Sequence, residues 1–227
     1  MKTIKKAFVA SLPVMAGYLV LSTGFGMLLA SKGYGVFTSL AMSVFIYAGS
    51  MQFVAVDLIA NSASLIAVAL TTVMVNARHL FYGISMIDKY KNVGKGKPYM
   101  IFALTDETYS LVCADNDMNS REYSNYCLYV SVFNHLYWIT GSVLGVLIGM
   151  ILPFDVTGID FALTALFLTV ATKQWTETKD HMPAIIGAVS SLLCLFIFGK
   201  DNFLIPTMII MIIALYVLRL IRGDKDA

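Results

Sequence analysis

Charged residues are scarce in this sequence: Lys, Arg, Asp and Glu supply 13% of its 227 residues, whereas a soluble domain carries about a quarter. Apolar residues supply 58%. A chain of this length cannot hide so much apolar surface in one water-soluble core. The composition therefore excludes a soluble globular domain and a disordered chain, and the net charge of +2 gives no reason to expect a nucleic-acid partner.

The motifs of metal sites, hydrolases and ATPases are also missing. No CxxC or CxxH spacing surrounds the three cysteines, so we expect neither a disulfide nor a metal site at Cys113, Cys127 and Cys194. The sequence contains no GxSxG elbow, no HExxH pair and no GxxxxGKS/T loop. We therefore expect no enzymatic activity, no cofactor and no ATP-driven step.

What the sequence does contain is a series of long stretches without any charge. These lie between Lys6 and Lys32, Lys32 and Asp57, Asp57 and Arg78, and Glu122 and Asp155. A helix needs about 20 apolar residues to cross a hydrocarbon core of about 30 Å, and it satisfies its own backbone groups in lipid. The first apolar run is longer than the core of a signal peptide, which is about 7–15 residues, so we interpret it as the first spanning helix.

The sequence predicts an all-α, polytopic membrane helix bundle of seven or eight spans, forming a single integral membrane transporter domain over residues 1–227. Two of the predicted helices are short enough to be broken or re-entrant, which is why seven and eight spans both stay open. The predicted helices cover residues 8–30, 36–59, 64–86, 99–114, 126–151, 160–174, 183–198 and 203–221.

An internal repeat relates residues of about 36–72 to residues of about 160–191. Phe45 is followed seven positions later by Gln52-Phe53, and Phe167 is followed in the same way by Gln174-Trp175. Duplicated halves are typical of secondary transporters, whose binding site lies near the middle of the membrane. Chance alignment of two apolar stretches is the alternative.

Polar residues inside the predicted spans are the candidates for function, because a charge at the bilayer centre costs several kcal/mol, from about 3 upward. Such residues can have a purely structural role in contacts between helices, or they can line a substrate pathway. The candidate substrate-binding residues are Tyr47, Gly49, Gln52, Phe53, Asn76, Arg78 and Trp138. The candidate ion-coupling or charge-pair residues are His79, Asp106 and Glu107.

Arg78 is the most informative of these residues. Its guanidinium keeps its proton, so it needs an acidic partner or an anionic ligand unless it reaches the membrane surface from a helix end. Asp106 and Glu107 are adjacent and project about 100° apart on a helix. We therefore predict that one of them pairs with Arg78 and that the other meets water or takes up a proton.

Four stretches, in order along the chain, resemble the AzlC family of branched-chain amino acid permeases. They are YAGSMQF at 47–53, NARHLFYG at 76–83, LTDETYS at 104–110 and the region from 138 to 149. The resemblance implies a bacterial inner-membrane exporter of leucine, isoleucine and valine. It also implies that the chain is the large subunit beside a small four-span AzlD-type membrane subunit.

For such an exporter we expect alternating access driven by a gradient. Arg78, or helix ends freed at Gly49, would receive the substrate carboxylate, and Asp106 or Glu107 would handle the ammonium or a coupled proton. Phe53 and Trp138 would contact the branched side chain.

Three alternatives remain at this stage. They are an exporter or channel for a different small solute, a membrane enzyme that uses His79 or His135 as a base, and a membrane assembly subunit that does not transport.

Overall fold

The computed structural model describes residues 2–91, 93–94, 96–113, 118–151, 168, 171–172, 175–176, 178 and 180–222. Every regular element in these ranges is an α-helix, as the sequence predicted. The helices are α1 (Lys2–Ser31), α2 (Val36–Phe45), α3 (Gly49–Ala60), α4 (Leu65–Asn76), α5 (Arg78–Met86), α6 (Lys97–Phe102), α7 (Asp106–Val112), α8 (Ser120–Ile151), α9 (Met182–Asn202) and α10 (Leu204–Arg222).

The chain divides into two compact units, residues 1–165 and 166–227. The predicted helix at 160–174, and with it most of the second copy of the predicted repeat, lies outside the described residues. The repeat and the single transporter domain therefore stay predictions.

Three of the described helices are long and apolar enough to cross a membrane: α1, α8 and the 182–199 part of α9. A fourth span results if α4 and α5, which are bent by 50° relative to each other, are taken together. The seven or eight spans expected from the sequence are not confirmed, because several predicted spans consist of two short helices.

The first unit is built on a close pair of long helices, α1 and α8. Glycines in the middle of α8 let the two backbones touch: a methyl group added at Gly145 would collide with the carbonyl of Thr23, and one added at Gly141 would collide with Ser22. Gly26 of α1 meets α8 in the same way. Small residues at such spacing are the usual means by which membrane helices approach closely, because lipid offers no hydrophobic force to hold helices together.

Three predicted helices are each broken in two, which corrects their expected boundaries. The 36–59 segment is interrupted at residues 46–48, just before Gly49, where the sequence indicated a weakened helix, and Tyr47 there has a φ of +42°. The 64–86 segment bends at Ala77, which the sequence did not predict. The short 99–114 segment is broken at residues 103–105.

The second unit contains α9 and α10, in good agreement with the predicted helices at 183–198 and 203–221. Gly199, with a φ of +73°, kinks α9 near its end, a conformation that glycine adopts without steric cost. Apolar side chains such as Phe196 and Ile221 are exposed, as expected for a helix that faces lipid.

Candidate functional site

The three helix breaks are connected through Arg78. Arg78 is the first residue of α5, and its guanidinium forms an ion pair with Asp106, the first residue of α7. Its second terminal nitrogen donates to the hydroxyl of Ser50, in the first turn of α3, at 2.7 Å. One side chain thus joins the beginnings of three short helices.

Glu107 points away from Arg78, toward the long helix pair. The hydroxyl of Tyr18, in the middle of α1, donates to the Glu107 carboxylate at 2.7 Å. The same hydroxyl lies 2.7 Å from the Thr105 hydroxyl, which also caps the N-terminus of α7 by accepting from the backbone N–H of Thr108. The two adjacent acids therefore have different partners, as their angular separation on a helix requires.

The hydrogen bonds continue from α7 into α8. The Thr105 hydroxyl donates to that of Thr108, and the side-chain amide of Asn134 donates to the Thr108 hydroxyl at 3.0 Å. Asn134 is fully buried. A chain of polar contacts thus runs from Tyr18 and Glu107 to the centre of α8, through residues that lipid alone could not satisfy.

His135, next to Asn134, holds the end of α2 against α8. Its Nε2 lies 3.0 Å from the carbonyl oxygen of Ser43, which can only accept, so Nε2 carries a proton, and Nδ1 shares a hydrogen bond of 2.9 Å with the hydroxyl of Tyr99. The ring of Tyr47 stacks on the His135 ring with centroids 4.1 Å apart. This stack holds Tyr47 in its left-handed backbone conformation at the α2–α3 break.

Two buried aromatic residues form the apolar part of the site. The indole of Trp138 lies against Gly49, where an added methyl group would be 2.8 Å from the ring, and it meets the Tyr18 ring edge-on at 5.2 Å. Phe53 is 1% exposed and packs edge-on against Phe25 at 5.7 Å. Both aromatics therefore lie beside the α2–α3 break.

Several buried polar atoms of this region have no hydrogen-bond partner within the described part of the chain. Three are acceptors, the side-chain amide oxygens of Gln52, Asn76 and Asn134. Two are donors, Nε of Arg78 and Nε1 of Trp138, and the Tyr47 hydroxyl can do either. A buried polar group without a partner costs about 1–3 kcal/mol, so each of these atoms needs a partner that the described part of the chain does not supply.

Comparison with known proteins identifies the family of the chain. The model of the family described as AzlC protein matches residues 13–152, a range that holds every residue of the site just described. The chain belongs to the AzlC family. It is a multi-pass membrane protein.

Relatives of the AzlC-family chain cover nearly its whole length. It is 38% identical to the branched-chain amino acid transport protein AzlC of Bacillus subtilis, over 95% of this chain and 85% of the relative. It is 38% identical to a membrane protein of Helicobacter pylori over 96% of each chain. It is 29% identical to the inner membrane protein YgaZ of Escherichia coli, over 80% of this chain and 78% of the relative. No solved structure matches the chain.

The structure brings most of the predicted site residues of this AzlC-family chain into one connected region. Of the two acids offered as partners of Arg78, it selects Asp106. Gln52 is fully buried and donates to the Ser43 hydroxyl at 3.4 Å. The side-chain oxygen of Asn76, at the end of α4, is buried and has no partner among the described residues.

His79 stands apart from the two acids in its described contacts. Its Nδ1 lies 3.2 Å from the carbonyl oxygen of Asn76, and its ring meets the edge of Tyr82. His79 thereby compensates the backbone carbonyl that the bend at Ala77 exposes. Within the residues that the structure describes, no group of three His, Cys, Asp or Glu side chains is arranged for a metal ion.

Sequence reasoning missed Tyr18 altogether, and it did not assign Ser50, Thr105 and Asn134 to the site. A lone tyrosine in an apolar helix carries no signal of its own, because its partner Glu107 is 89 residues away. Asn134 does carry a signal, since it lies one helical turn before Trp138 on the same face.

Proposed function

We propose that this chain is the large subunit of a secondary transporter that exports the branched-chain amino acids leucine, isoleucine and valine by alternating access, driven by a gradient. The name of the Bacillus subtilis relative supports the substrate class. We infer further that the chain works in a bacterial inner membrane beside a small four-span AzlD-type subunit, as the family resemblance implies, and that it has no enzymatic activity.

The observation that carries the proposal is the set of unpartnered donors and acceptors beside the Arg78–Asp106 ion pair. A zwitterionic amino acid needs donors for its carboxylate and acceptors for its ammonium. Nε of Arg78 and Nε1 of Trp138 are free donors, and the amide oxygens of Gln52 and Asn134 are free acceptors. The Tyr47 hydroxyl adds a group of either kind.

The helix breaks also favour binding of a substrate carboxylate, because each break creates a helix N-terminus. The N-terminus of a helix carries about half a positive charge, which attracts anionic groups, and α3 begins at Gly49 inside the membrane protein. We infer that the substrate carboxylate approaches Arg78 and the beginning of α3. Phe53 and the Trp138 indole then provide the apolar contact for a branched side chain.

Glu107 is our candidate for ion coupling, because it is held by Tyr18 rather than by a cation. Asp106 neutralises Arg78 while no substrate carboxylate is bound, and the substrate competes for the guanidinium. Exchange of one carboxylate for another at Arg78 provides a difference between the loaded and the empty transporter, which alternating access requires. Asn76 ends α4 and His79 follows Arg78 in α5, so both flank Arg78 along the chain.

The test is counterflow of labelled leucine in liposomes that contain the full chain and its small partner subunit. Unlabelled isoleucine and valine should compete, whereas glutamate and lysine should not, because the site offers one cation and an apolar surface. Liposomes with the partner subunit alone are the control. Competition by an unrelated solute only would favour the alternative of a different substrate, and transport by the partner alone would favour an assembly subunit.

A further inference from the structure

A cavity of about 290 Å³ lies away from the ion pair, between the second half of α5, the turn that follows it and α6. Ligand pockets for small molecules begin at about 300 Å³, so this cavity has the size for a small ligand. Its walls are largely apolar, with side chains of Met86, Ile87, Ile101 and Leu104.

Two polar side chains line the same cavity. Tyr90 is 2% exposed, and its buried hydroxyl has no hydrogen-bond partner within the described ranges. Lys97, the first residue of α6, is half-buried and has no ion-pair partner among the residues described. Burial raises the pKa of the Tyr90 phenol, so at neutral pH the hydroxyl is protonated and can donate.

The chemistry of the lining selects an anion. It offers one ammonium and one hydroxyl donor, and none of its residues is acidic. A carboxylate satisfies both donors at once. The ammonium of an amino acid, in contrast, would enter a cavity that already holds Lys97 and would find no acidic partner there.

We propose that this cavity is a second binding site, which takes a small monocarboxylate with a short apolar chain and no ammonium. Lys97 and Tyr90 hold the carboxylate, and the apolar walls hold the chain. Leu104 lies at the α6–α7 break and precedes Thr105, the cap of α7, so an occupant contacts the segment that carries Asp106. The proposal does not depend on the transport function.

Binding of 4-methylpentanoate, which has the carbon chain of leucine without its ammonium, tests this inference. The full chain is placed in nanodiscs of phosphatidylcholine and titrated by ligand-observed NMR. We expect leucine to displace 4-methylpentanoate only at concentrations at least about tenfold higher, because the ammonium of leucine would lose its hydration beside Lys97 without gaining an acidic partner, and tenfold is 1.4 kcal/mol. Displacement of bound 4-methylpentanoate by leucine at equal concentration would overturn the inference, whereas leucine that binds without displacing it occupies another site.

Variants of the lining locate the site. Lys97→Met should weaken binding about tenfold or more, whereas Lys97→Arg should retain it, and Tyr90→Phe should weaken it less. Lys91→Met is the matched control, because Lys91 is exposed and directly follows Tyr90 in the turn after α5. This variant should bind as the wild type does. Unchanged binding by Lys97→Met would overturn the assignment.

Gly83 offers a variant that blocks the cavity without loss of any polar group. It lines the cavity, and a methyl group added there meets nothing within 4 Å. Gly83→Leu should therefore abolish binding while the protein still elutes as a single species in gel filtration. Binding that survives in a well-folded Gly83→Leu protein would contradict the proposed position.

An anionic lipid offers the same combination of an anionic head and an apolar body. A second set of nanodiscs containing phosphatidylglycerol separates the two sources. If the small acid occupies the site, its affinity should be the same in both lipids at high ionic strength, where the negative surface potential of phosphatidylglycerol is screened. Loss of 4-methylpentanoate binding in phosphatidylglycerol, restored only in phosphatidylcholine, would assign the cavity to lipid and overturn the proposal of a small free acid.

Discussion

The guanidinium of Arg78 donates to the carboxylate of Asp106, 28 residues further along the chain, and each of the two residues begins a helix. The positive end of a helix dipole favours Asp106 at its position and disfavours Arg78 at its own. The carboxylate of Asp106 therefore neutralises the charge of Arg78 and offsets the unfavourable interaction of that charge with the N-terminus of α5. The ion pair therefore joins the bend at Ala77 to the break at residues 103–105.

Removal of one partner of this pair should cost more than removal of both. We expect Arg78→Ala to lower the free energy of unfolding by about 2 kcal/mol, less than the 3–5 kcal/mol of a fully buried pair. The reduction follows because the two side chains are 31% and 25% exposed. Arg78→Ala combined with Asp106→Asn should recover at least about half of the loss, measured by titration with SDS in mixed micelles.

The ion pair between Lys32 and Asp57 is the matched control. Its atoms are 3.5 Å apart and its side chains are 38% and 58% exposed, so Lys32→Ala should change stability by less than about 1 kcal/mol. A double variant at Arg78 and Asp106 that is no more stable than Arg78→Ala would show that the pair is not what holds the two breaks together.

Tyr47→Phe separates substrate binding from folding. The Tyr47 hydroxyl forms no hydrogen bond of good geometry in the described chain, although the hydroxyls of Tyr18 and Thr108 are near it, so its removal should change stability by less than about 1 kcal/mol. Leucine affinity in the counterflow assay should fall about tenfold if the hydroxyl contacts the substrate.

Tyr99→Phe is the comparison variant and should affect folding instead of leucine affinity. The hydroxyl that it removes forms a hydrogen bond of 2.9 Å with His135. That variant should lose about 1 kcal/mol of stability. A Tyr47→Phe protein with wild-type leucine affinity would remove this hydroxyl from the proposed site.

Glu107→Gln tests ion coupling. The amide keeps the size of the carboxylate and can still accept from Tyr18, but it cannot take up a proton. We expect exchange of leucine for leucine to continue while uptake driven by an imposed pH gradient is lost. Gradient-driven uptake that persists in Glu107→Gln would assign the coupling to another group.

The sequence predicted the helical class, an acidic partner for Arg78 and the weakened helix near Gly49, because charges and helix breakers are visible one residue at a time. It did not predict the bend at Ala77, where the backbone angles stay helical and no Pro or Gly marks the position. Tyr18 was missed for a different reason. Its role depends on a partner in another helix, and periodicity within one helix cannot reveal such a partner.

Gly49→Ala tests the contact between the α2–α3 break and Trp138. The added methyl group would be 2.8 Å from the indole, so we expect a loss of about 1–3 kcal/mol from overpacking. Because the contact is with the outer end of a ring, Trp138→Phe in the same protein should restore part of the loss. An additive double variant, measured by the same SDS titration, would place the two residues out of contact.

Gly145→Ala should be more damaging than Gly49→Ala. The added methyl group would meet the backbone of Thr23, which cannot rotate away, so α1 and α8 would have to separate. We expect little protein to elute as a single species in gel filtration. Gly24→Ala in α1 is the control, since its methyl group meets nothing within 4 Å and alanine favours a helix by up to about 1 kcal/mol. Equal behaviour of the two variants would contradict the close packing of α1 and α8.

The glycine contacts between α1 and α8 bring the backbones of these two helices together. Because their backbones are in direct contact, we expect α1 and α8 to keep their relative position during transport. Tyr18, Asn134 and Trp138 would then form the rigid side of the site. Arg78 and Asp106, in contrast, begin the short helices α5 and α7. Passage of a solute would then require α5 and α7 to move relative to the α1–α8 pair. The hydrogen bond from Tyr18 to Glu107 would have to break for α7 to move.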